Sequence, residues 1–544
     1  MKWRGFLINY NGPPKEIFNL FPDNGLALLA SVLTAEGYQV KILDYLTPGT
    51  FKKFSSPQVT EILKDFHRQS KVILSTPDYS YITSLYNKLN SAYRQIQEEI
   101  AQEIFQEINK FLPQFIGFKL WEGFGIEGSL YIARRIKEVY PKIITIGGGP
   151  QVDAFREDIL MVAPQFDFLI YGEGELPLLS LLSALRHPHP SLNSIPNLIY
   201  REGDKIISNS QGELISLSDL PSPIYNCEVY PAIEEKKIKI FLVEESRGCP
   251  NKCNFCIHPA KSGNYHRKKK PEKILEEIHK ITHQFKTPIF RLAGSNPPAK
   301  LLTELAQKIK EKNYIYSAFG HINLPNIFPL LKQSGCISLA FGVESGSAFI
   351  LEKLINKHTT PLQIKSTLIR SREAGIFTIA SVIVPTPLDT EETIKETLNL
   401  LLETKPDSVT TQFAILIPQT LWWEKAEEFG FKFSNKKLLK RKLLFYKEDF
   451  LLPNQFIKHI PYRIGKLNHN KIIDIALNFN LELEKSGIAT GISDFLVLCA
   501  YAYGYDPVKF RNLTDEIINN RNYDDMINLV KEINKKITLL YEAL

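Results

Sequence analysis

The sequence contains few cysteines, six among 544 residues. So small a number excludes the disulfide framework of a secreted scaffold and is typical of a reducing compartment. Long hydrophobic runs are also missing, because none reaches the roughly 18 to 20 apolar residues that a helix needs to span a bilayer. The N-terminus becomes polar too soon for a signal peptide. We therefore expect a cytoplasmic protein with no membrane partner.

The sequence has little excess charge of either sign. Its formal net charge of +7 is small for 544 residues and is spread among many lysines, so we do not expect nucleic acid as a partner. The composition, 44% hydrophobic and 23% charged, is that of an ordinary globular protein. A chain of this length exceeds what one hydrophobic core serves, which predicts two or three domains.

Residues 1–190 alternate short apolar runs with amphipathic stretches, apart from a charged helical insertion at about 57–112. This alternation predicts a doubly wound, Rossmann-like parallel sheet with helices on both faces. Ligands of such sheets bind beyond the carboxyl ends of the strands, where this chain places NGPP, WEGFG, GGGP and GEGE. The first domain is therefore predicted to carry a ligand at that edge.

The alternation stops at residues 191–236, a proline-containing linker with a hairpin predicted in NLIYREGDKIIS. It resumes at 237–420 with six β/α repeats, which predict a partial TIM-type barrel whose ligands lie at the carboxyl ends of its strands. Residues 421–544 are rich in lysine and mainly helical, and we expect them to close over the barrel mouth. The predicted fold class is therefore α/β with a helical C-terminal domain.

Three of the six cysteines stand together in the loop CPNKCNFC, after the first strand of the predicted barrel. The spacing lets one short loop wrap an iron–sulfur cubane, with Cys249, Cys253 and Cys256 each on a different iron and the fourth iron left open. A zinc site that adds His258 is the alternative, but zinc modules place their second ligand pair a dozen or more residues away. Buried free thiols usually pack on regular elements instead of a glycine- and proline-containing loop. The loop is thus predicted to hold a four-iron cluster.

This loop resembles the cluster motif of the radical S-adenosylmethionine (SAM) superfamily. The resemblance implies a 4Fe-4S cluster whose open iron binds the amino and carboxylate groups of SAM. Further similarity lies in LAGSNPP, AFGVESGS and FAILIP, after the second, fourth and sixth strands. One departure is VPTPLDTEET, which stands where related enzymes usually read Gly-Leu-Pro-Gly. The SAM contacts implied by the resemblance are Phe255, Gly294, Ser295, Glu344, Ser345 and Ile417.

Residues 1–190 resemble the cobalamin-binding domain that precedes many radical SAM domains, through FPDNGLALLASVLTAEGYQVKILDY, GGGP and DFLIYGEGE. The alternative is a flavodoxin-like module without cofactor. The usual motif Asp-x-His-x-x-Gly is absent, so cobalamin is expected base-off and His-off, with Trp121, Glu122 or Phe124 near its lower face. A core role is the other interpretation of Trp121. The implied cobalamin contacts are Asn11, Asp23, Trp121, Glu122, Gly123, Phe124, Gly147, Gly148, Gly149, Tyr171, Gly172, Glu173 and Gly174.

Together, these resemblances imply a cobalamin-dependent radical SAM enzyme. We expect a methyltransferase that moves a methyl group from SAM via methylcobalamin to an unactivated carbon of a small molecule or peptide. The alternative is a cyclase or rearrangement enzyme with the same cofactors but no methyl transfer. An external electron donor of flavodoxin or ferredoxin type is implied as a partner. The sequence identifies no catalytic acid or base.

The cysteine positions argue against two further functional classes. A methylthiolating RNA enzyme would need a second cluster on N-terminal cysteines, and no cysteine precedes Cys227. A noncatalytic cobalamin sensor would not need the intact three-cysteine motif. Cys336 and Cys499 are interpreted as buried small hydrophobes. Trp422 and Trp423 follow the sixth strand. Their two alternative roles are contact with the substrate and packing in the core.

Overall fold

The computed structural model describes residues 3–13, 16–72, 79–234, 236–447, 452–453, 456 and 459–543. Pro14 of the NGPP loop and positions 73–78 of the helical insertion lie outside these ranges, as does linker position 235. Positions 448–451, 454–455, 457–458 and 544 of the predicted C-terminal domain also lie outside them. Across the described ranges, no helix combines the length and apolar character that crossing a membrane requires.

The first sheet has seven strands in the order β2-β1-β3-β4-β5-β6-β7. Its strands are β1 (Arg4–Tyr10), β2 (Gln39–Asp44), β3 (Phe115–Leu120), β4 (Ile144–Gly148), β5 (Phe168–Ile170), β6 (Leu198–Glu202) and β7 (Lys205–Ser208). Strands β1 to β5 pair in parallel, as the alternation predicts. The predicted hairpin forms as β6 and β7, but it pairs antiparallel with β5 and extends the sheet. This pairing satisfies backbone groups of β5 that an open sheet edge would leave exposed.

Eight helices accompany this sheet within the described residues. They are α1 (Asn24–Ala35), α2 (Pro48–Phe54), α3 (Pro57–Val72), α4 (Tyr79–Phe111), α5 (Phe124–Val139), α6 (Pro150–Phe155), α7 (Glu157–Val162) and α8 (Glu175–Ala184). Helix α4 is 33 residues long and buries Leu85, Ile100 and Ile104 against the domain core. The charged pattern that predicted a helical insertion thus belongs to α3 and α4, whose apolar stripes face inward.

The second sheet also has seven strands, all parallel, in the order β18-β15-β14-β13-β12-β11-β8. Six of them come from the predicted repeats, and the seventh comes from the C-terminal segment. The remaining strands of the chain are β8 (Phe241–Val243), β9 (Ser246–Arg247), β10 (Arg267–Lys268), β11 (Ile289–Leu292), β12 (Ile315–Gly320), β13 (Cys336–Glu344), β14 (Phe377–Ile383), β15 (Ser408–Gln412), β16 (Phe431–Lys432), β17 (Arg463–Ile464) and β18 (Ala489–Thr490). The partial-barrel prediction is therefore confirmed, with one additional edge strand.

The remaining helices follow the strands in βα order and then form the C-terminal bundle. They are α9 (His258–Ser262), α10 (Pro271–Phe285), α11 (Ala299–Ile309), α12 (Phe328–Gln333), α13 (Ala348–Ile350), α14 (Pro361–Glu373), α15 (Glu391–Thr404), α16 (Leu421–Glu424), α17 (Lys436–Leu444), α18 (His469–Lys485), α19 (Asp494–Tyr503), α20 (Pro507–Asn520) and α21 (Tyr523–Ala543). A π-helical turn, Leu351–Ile355, follows α13 directly. Short 3-10 helices lie at Ile17–Leu20 and Pro231–Ile233.

Helix α19 packs against β11, β12 and β13, on the face of the sheet opposite α10 and α11. Because side chains alternate along a strand, Phe290 packs outward with α10 while Arg291 points toward α19. Arg291 Nε donates to Asp494 Oδ2 at 2.6 Å, and both side chains are buried. Helix α19 of the C-terminal segment thus covers the inner face of the second sheet. The closing of the barrel mouth by this segment stays a prediction.

Replacing Asp494 with alanine tests this buried pair. The Arg291 guanidinium would be left without its carboxylate inside the core, and removing one partner of a buried ion pair costs about 3 to 5 kcal/mol. We expect a clearly lower midpoint of urea unfolding, monitored by circular dichroism. The matched control is Glu403→Ala, which removes the exposed partner of Lys365 and should cost at most about 1 kcal/mol. Equal midpoints for the two variants would contradict the burial of this pair.

Candidate cofactor site at the facing edges of the two sheets

The cysteine loop begins where β8 ends and is bracketed by the ribbon of β9 and β10, in which Arg247 lies opposite Arg267. Gly248 has a φ of +82°, and a Cβ at this position would lie 2.2 Å from the carbonyl oxygen of Tyr265. Only glycine allows this conformation and approach together. The local backbone is therefore folded back on itself just before Cys249, and all three thiols are half-buried.

Asn254 fixes the middle of the loop. Its backbone N–H donates to Ile355 O, its Nδ2 donates to Leu354 O, and both distances are 2.9 Å. Its carbonyl accepts from the backbone N–H of Trp422 at 2.9 Å. The Trp422 indole also donates to Leu354 O at 3.0 Å, and its ring lies 5.6 Å from that of Phe255. Trp422 is fully buried, so of its two possible roles the structure supports core packing.

The environment of the thiols is suited to a cluster. Burial raises the pKa of Cys253 to about 12 and that of Cys256 to about 11, so cationic metal centres are needed to hold them as thiolates. Asn296 Nδ2 donates to Cys249 Sγ at 3.0 Å. Hydrogen bonds of this kind to cluster sulfurs adjust the reduction potential. Three thiols on one constrained loop, one of them hydrogen-bonded, fit the donor set of a 4Fe-4S cluster.

The remaining cysteines lie apart from this loop. Cys336 and Cys499 are fully buried in the core, as interpreted from the sequence, and Cys227 is exposed. His258 contacts Ser295 Oγ, 3.3 Å from its Nε2. Within the described part of the chain, no three His, Cys, Asp or Glu side chains are grouped so as to hold one metal ion.

The sequence did not indicate a role for Asn296. Its hydrogen bond to Cys249 predicts that this side chain affects the reduction potential of the cluster. Replacing it with leucine keeps the volume and removes the N–H that offsets negative charge on the sulfur. We expect the reduction potential of the cluster to become more negative, measured by a redox titration followed by EPR. Asn264→Leu, at an exposed position between α9 and β10, is the control. An unchanged or more positive potential in Asn296→Leu would contradict the assignment.

Two of the predicted SAM residues follow β11. Ser295 is exposed, whereas Gly294 is buried and its N–H donates to Glu245 Oε2 at 3.0 Å. A Cβ on Gly294 would lie 2.0 Å from the Glu245 carboxylate, so glycine is required for this contact. Glu245 is fully buried and also accepts from Ser246 Oγ at 3.0 Å. The Glu245 carboxylate therefore lies on the buried side of the loop that contains Ser295 and holds the backbone of that loop by a hydrogen bond.

Burial raises the pKa of Glu245 from its ordinary 4.5 to about 7. A carboxyl that binds its proton more tightly in the folded state loses that stabilising contribution as the pH rises from about 4.5 through 7, at about 1.4 kcal/mol per unit. We expect Glu245→Gln to match the wild type near pH 5 and to unfold at a higher temperature than the wild type at pH 8, in thermal melts over that range.

The control for this comparison is Glu98→Gln on α4. Hydrogen bonds from Arg135 hold the pKa of Glu98 at about 2, so the stability that this carboxylate contributes is present at neutral pH and is lost only in acid. Melts of Glu98→Gln should therefore lie below those of the wild type at pH 8. Parallel curves for Glu245→Gln and the wild type between pH 5 and 8 would contradict a protonated buried carboxyl.

Glu344 ends β13 with a φ of +65°, in the left-handed region that a non-glycine residue rarely occupies. Such outliers cluster at functional sites. Its Oε1 accepts from Lys357 Nζ at 2.6 Å, and Lys357 also donates to the Gly342 carbonyl. Lys357 was missed from the sequence because it lies in an irregular segment after the π-helical turn. The pair presents a carboxylate and an ammonium beside the cysteine loop, complementary to the charged ends of an amino acid.

His321 lies at the end of β12, in the same group of charges. Its Nε2 is 2.8 Å from the amide Nδ2 of Asn251, which belongs to the cysteine loop. Burial, together with the nearby charge of Lys357, lowers the pKa of His321 to about 4, so the imidazole is neutral at physiological pH. The sequence did not indicate a role for this histidine, because its position beside the cysteine loop depends on the pairing of β12 with β13 in the folded protein.

The other predicted SAM residues differ in their surroundings. Ile417 and Phe255 both pack, half-buried, on the same hydrophobic core as Trp422. Ser345 is buried, and its Oγ lies 3.2 Å from Thr397 Oγ1 of α15. Its hydroxyl is thus used in a helix–strand contact. After β14, where the chain departs from the usual glycine-rich sequence, Thr390 caps α15 as its position predicts.

At the facing edge of the first sheet, Trp121 follows β3 and remains half-exposed. Its indole donates to Asn9 Oδ1 at 2.8 Å, and Lys119 Nζ lies 4.3 Å from the ring centroid. Lys119 also pairs with Asp23 at 2.5 Å, and Asp23 caps α1. The Asp23 carboxylate is therefore engaged within the protein, while one face of Trp121 carries a cation. Glu122 is exposed, and Asn11 is partly exposed beside Gly125.

The glycine loops after β4 and β5 are partly accessible. Gly148 and Gly149 are half-buried, and a Cβ on Gly148 would meet only the carbonyl of Ile170, at 3.5 Å. Gly149 has a φ of +96°, so a backbone path that only glycine adopts readily leads into α6. This space fits the close approach of a large ligand such as cobalamin. Gly147 differs, because the side chain of Leu169 occupies the volume of its missing Cβ.

Several other predicted cobalamin residues have side chains engaged in protein contacts. Phe124 is buried between Tyr93 and Lys447, and the adjoining Gly123 lies against Lys447. Tyr171 is buried, with Arg156 over its ring at 4.0 Å. Gly172 donates its N–H to Asp153 at 2.7 Å, and Gly174 precedes α8. The Glu173 carboxylate pairs with Arg267 of the ribbon that flanks the cysteine loop.

Comparison with known proteins agrees with this geometry. The family model for the B12 binding domain matches residues 87–182, and the model for the radical SAM superfamily matches residues 243–401. An uncharacterized methyltransferase of Pyrococcus horikoshii, PH0819, is 26% identical over 331 residues, which are 60% of this chain and 72% of that protein. An anaerobic magnesium-protoporphyrin IX monomethyl ester cyclase of Cereibacter sphaeroides is 26% identical over 52% of this chain and 49% of its own length.

A third relative, the cobalamin-dependent radical SAM methyltransferase TokK of Streptomyces tokunonensis, is 24% identical over 51% of this chain but only 43% of its own length. Among solved structures, the radical SAM methyltransferase TsrM of Kitasatospora setae superposes with a TM-score of 0.65 at 14% identity, over 98% of this chain and 100% of that one. The cobalamin-dependent radical enzyme OxsB superposes with a TM-score of 0.59 at 16% identity, over 100% of this chain and 80% of that one. These structures share the fold throughout.

A B12-type sheet followed by a partial barrel with a three-thiol loop defines an enzyme that uses two cofactor domains. The chain therefore carries a B12 binding domain followed by a radical SAM domain, and the cofactors of this pair of domains are a 4Fe-4S cluster, S-adenosylmethionine and cobalamin.

Proposed function

We propose that this protein is a methyltransferase that moves a methyl group from SAM, by way of cobalamin, to an unactivated carbon of a small molecule or peptide. The observation that carries the proposal is the direct contact between the loops of the two cofactor domains. Arg247, two residues before Cys249, donates at 2.6 Å to Glu175, the last residue of the GEGE sequence of the first sheet. Methyl transfer between two cofactors requires that their sites face one another in this way.

The residues of the chain have separate tasks in this proposal. Cys249, Cys253 and Cys256 would hold the cluster, and Glu344 with Lys357 would orient the amino acid end of SAM through opposite charges. Phe255 and Ile417, on their shared apolar core, would exclude water from the reacting carbon. When bound, the cluster supplies the electron that cleaves SAM and cobalamin carries the methyl group.

We extend the proposal to the electron source and the compartment. An external donor of flavodoxin or ferredoxin type would reach the cluster from the side of Pro250 and Lys252, which are exposed in the cysteine loop. All six cysteines are free, which suits a cytoplasmic location.

A second candidate function is supported by the cyclase relatives. An enzyme with both cofactors can form a ring or rearrange a skeleton without keeping a methyl group, as the name of the relative in Cereibacter sphaeroides suggests for that protein. SAM labelled in its methyl group separates the two, because the product gains the label only in methyl transfer.

Single replacement of Cys249, Cys253 or Cys256 by alanine tests the proposal. Anaerobically purified wild type, reconstituted with iron and sulfide, is expected to hold about four irons and to release 5′-deoxyadenosine from SAM under reducing conditions. Each variant should lose the cluster absorbance and this cleavage, because two thiolates cannot retain the cubane. Incubation with candidate substrates and methyl-labelled SAM then assigns the product by mass spectrometry.

The matched control is Cys227→Ala, which removes an exposed thiol outside the loop and should leave iron content and SAM cleavage at the wild-type level. Cobalamin binding is measured on the same samples by absorbance after desalting. A metal-free wild type, or cleavage that survives the loss of a loop cysteine, would contradict the proposed function.

A further inference from the structure

Opposite charges line the contact between the first sheet and the segments on both sides of the cysteine loop. We name this set the acid–base latch. Its acids come from α6, from the loop after β5 and from the first residue of α8, and its bases come from the ribbon β9–β10 and from α9. Its members are Asp153, Glu173 and Glu175 on one side and Arg247, Lys261 and Arg267 on the other.

Arg247 forms the central part of the latch. Its Nη2 donates to Glu175 Oε1 at 2.6 Å, and its Nη1 lies 3.4 Å from Glu173 Oε2. Its Nε donates to Glu244 Oε1 at 2.7 Å. The guanidinium is therefore held by a residue of its own domain while it also pairs with the carboxylates of the first domain. Only 13% of the Arg247 side chain is exposed. A rigid, buried guanidinium with several carboxylate partners has one defined orientation.

Arg267 lies directly opposite Arg247 in the antiparallel ribbon. Like charges in that relation repel each other, so the pair requires a compensating anion. Glu173 provides it, because its carboxylate pairs with Arg267 through both oxygens and approaches Arg247 as well. Arg267 also donates to Ser262 O at 3.2 Å, which ties the ribbon to the end of α9. Arg247 also has Glu244 of its own domain, whereas the carboxylate that pairs with Arg267 among the described residues is Glu173 of the first domain. Arg267 therefore gains this counterion only when the first sheet is docked.

The third pair acts on the far side of the cysteines. Lys261, on α9, lies 3.3 Å from Asp153 Oδ2, and the other oxygen of Asp153 accepts from the Gly172 N–H at 2.7 Å. Asp153 is buried, whereas the Lys261 side chain is 36% exposed. The latch thus contacts the chain on both sides of the cysteines, before Cys249 and after Cys256. Its acids lie beside the glycine loops that are predicted to contact cobalamin.

We propose that the acid–base latch sets the distance and orientation between the cluster and the cobalamin site, with Glu173 and Arg267 as positioning residues for methyl transfer. This inference rests on the proposed function. Two domains that meet through apolar contacts can shift along each other at little cost. Domains that meet through buried ion pairs are held in one arrangement, because a shift would leave a buried charge without its counterion. Glu173 accordingly acts through Arg247 and Arg267 and has no contact with the corrin ring in this proposal.

The test measures the separation of the two cofactors in the full-length protein. The reduced cluster and cob(II)alamin are both paramagnetic, so pulsed EPR reports the distribution of distances between them. In the wild type we expect one narrow distribution. Glu173→Gln and Arg267→Gln should each shift and broaden it while both cofactors remain bound, and Arg267→Lys should fall between Arg267→Gln and the wild type. Arg135→Gln is the matched control, since Arg135 pairs with Glu98 within the first domain.

A distribution in Glu173→Gln and Arg267→Gln identical to that of the wild type would overturn the latch, even with both EPR signals present. Loss of either signal in the wild type would instead count against the proposed function. Hydrogen exchange, which needs no cofactor, then decides on the latch. Faster exchange at residues 172–175 and 246–248 in Arg267→Gln than in Arg135→Gln supports it, and equal exchange overturns it. If Arg267→Gln does not fold, Lys261→Gln, at a partly exposed position, serves in both measurements with the same expected results.

Discussion

The architecture depends on one constraint, that the carboxyl ends of the parallel strands of the two sheets face each other. Parallel strands bring all their following loops to one edge, and in this protein the loops after β4 and β5 contact the segments around the loop after β8. The cysteine loop, the glycine loops and the Glu344–Lys357 pair consequently lie along facing edges.

Several polar groups of the second domain are buried in specific pairs. Glu245 supports Gly294 from the core, Asn254 joins the cysteine loop to the π-helical turn, and Arg291 is neutralised by Asp494 from α19. The Glu245 carboxylate, Asn254 Nδ2 and Arg291 Nε are each hydrogen-bonded, which offsets the desolvation cost of burying these polar atoms. These contacts come from segments far apart in the chain, so the site is assembled only when all three parts of the protein fold together.

The sequence predicted much of the fold because the apolar periodicities of strands and helices are local. The hairpin at 198–208 was recognised, but its place as an edge of the first sheet was not, because pairing with β5 leaves no local pattern. Strand β18 was missed because two residues carry no periodicity. The packing of α19 against β11, β12 and β13 has no local pattern either, because its apolar residues would suit either face of the sheet equally well.

For the site, the sequence by itself determined the three-thiol loop, because closely spaced cysteines in a glycine- and proline-containing segment have few other uses. It also determined the two βα series and hence the edges where ligands bind. Only the tertiary structure decided which side chains remain available there. Asn296, His321 and Lys357 lie at the site because the fold brings their segments beside the cysteine loop and Glu344. Phe124, Gly147 and Ser345 were predicted to contact cofactors, but each contacts neighbouring side chains of the protein instead. The physical reason is that hydrogen bonds and ion pairs are formed by proximity in space, which for these residues bears no fixed relation to spacing along the chain.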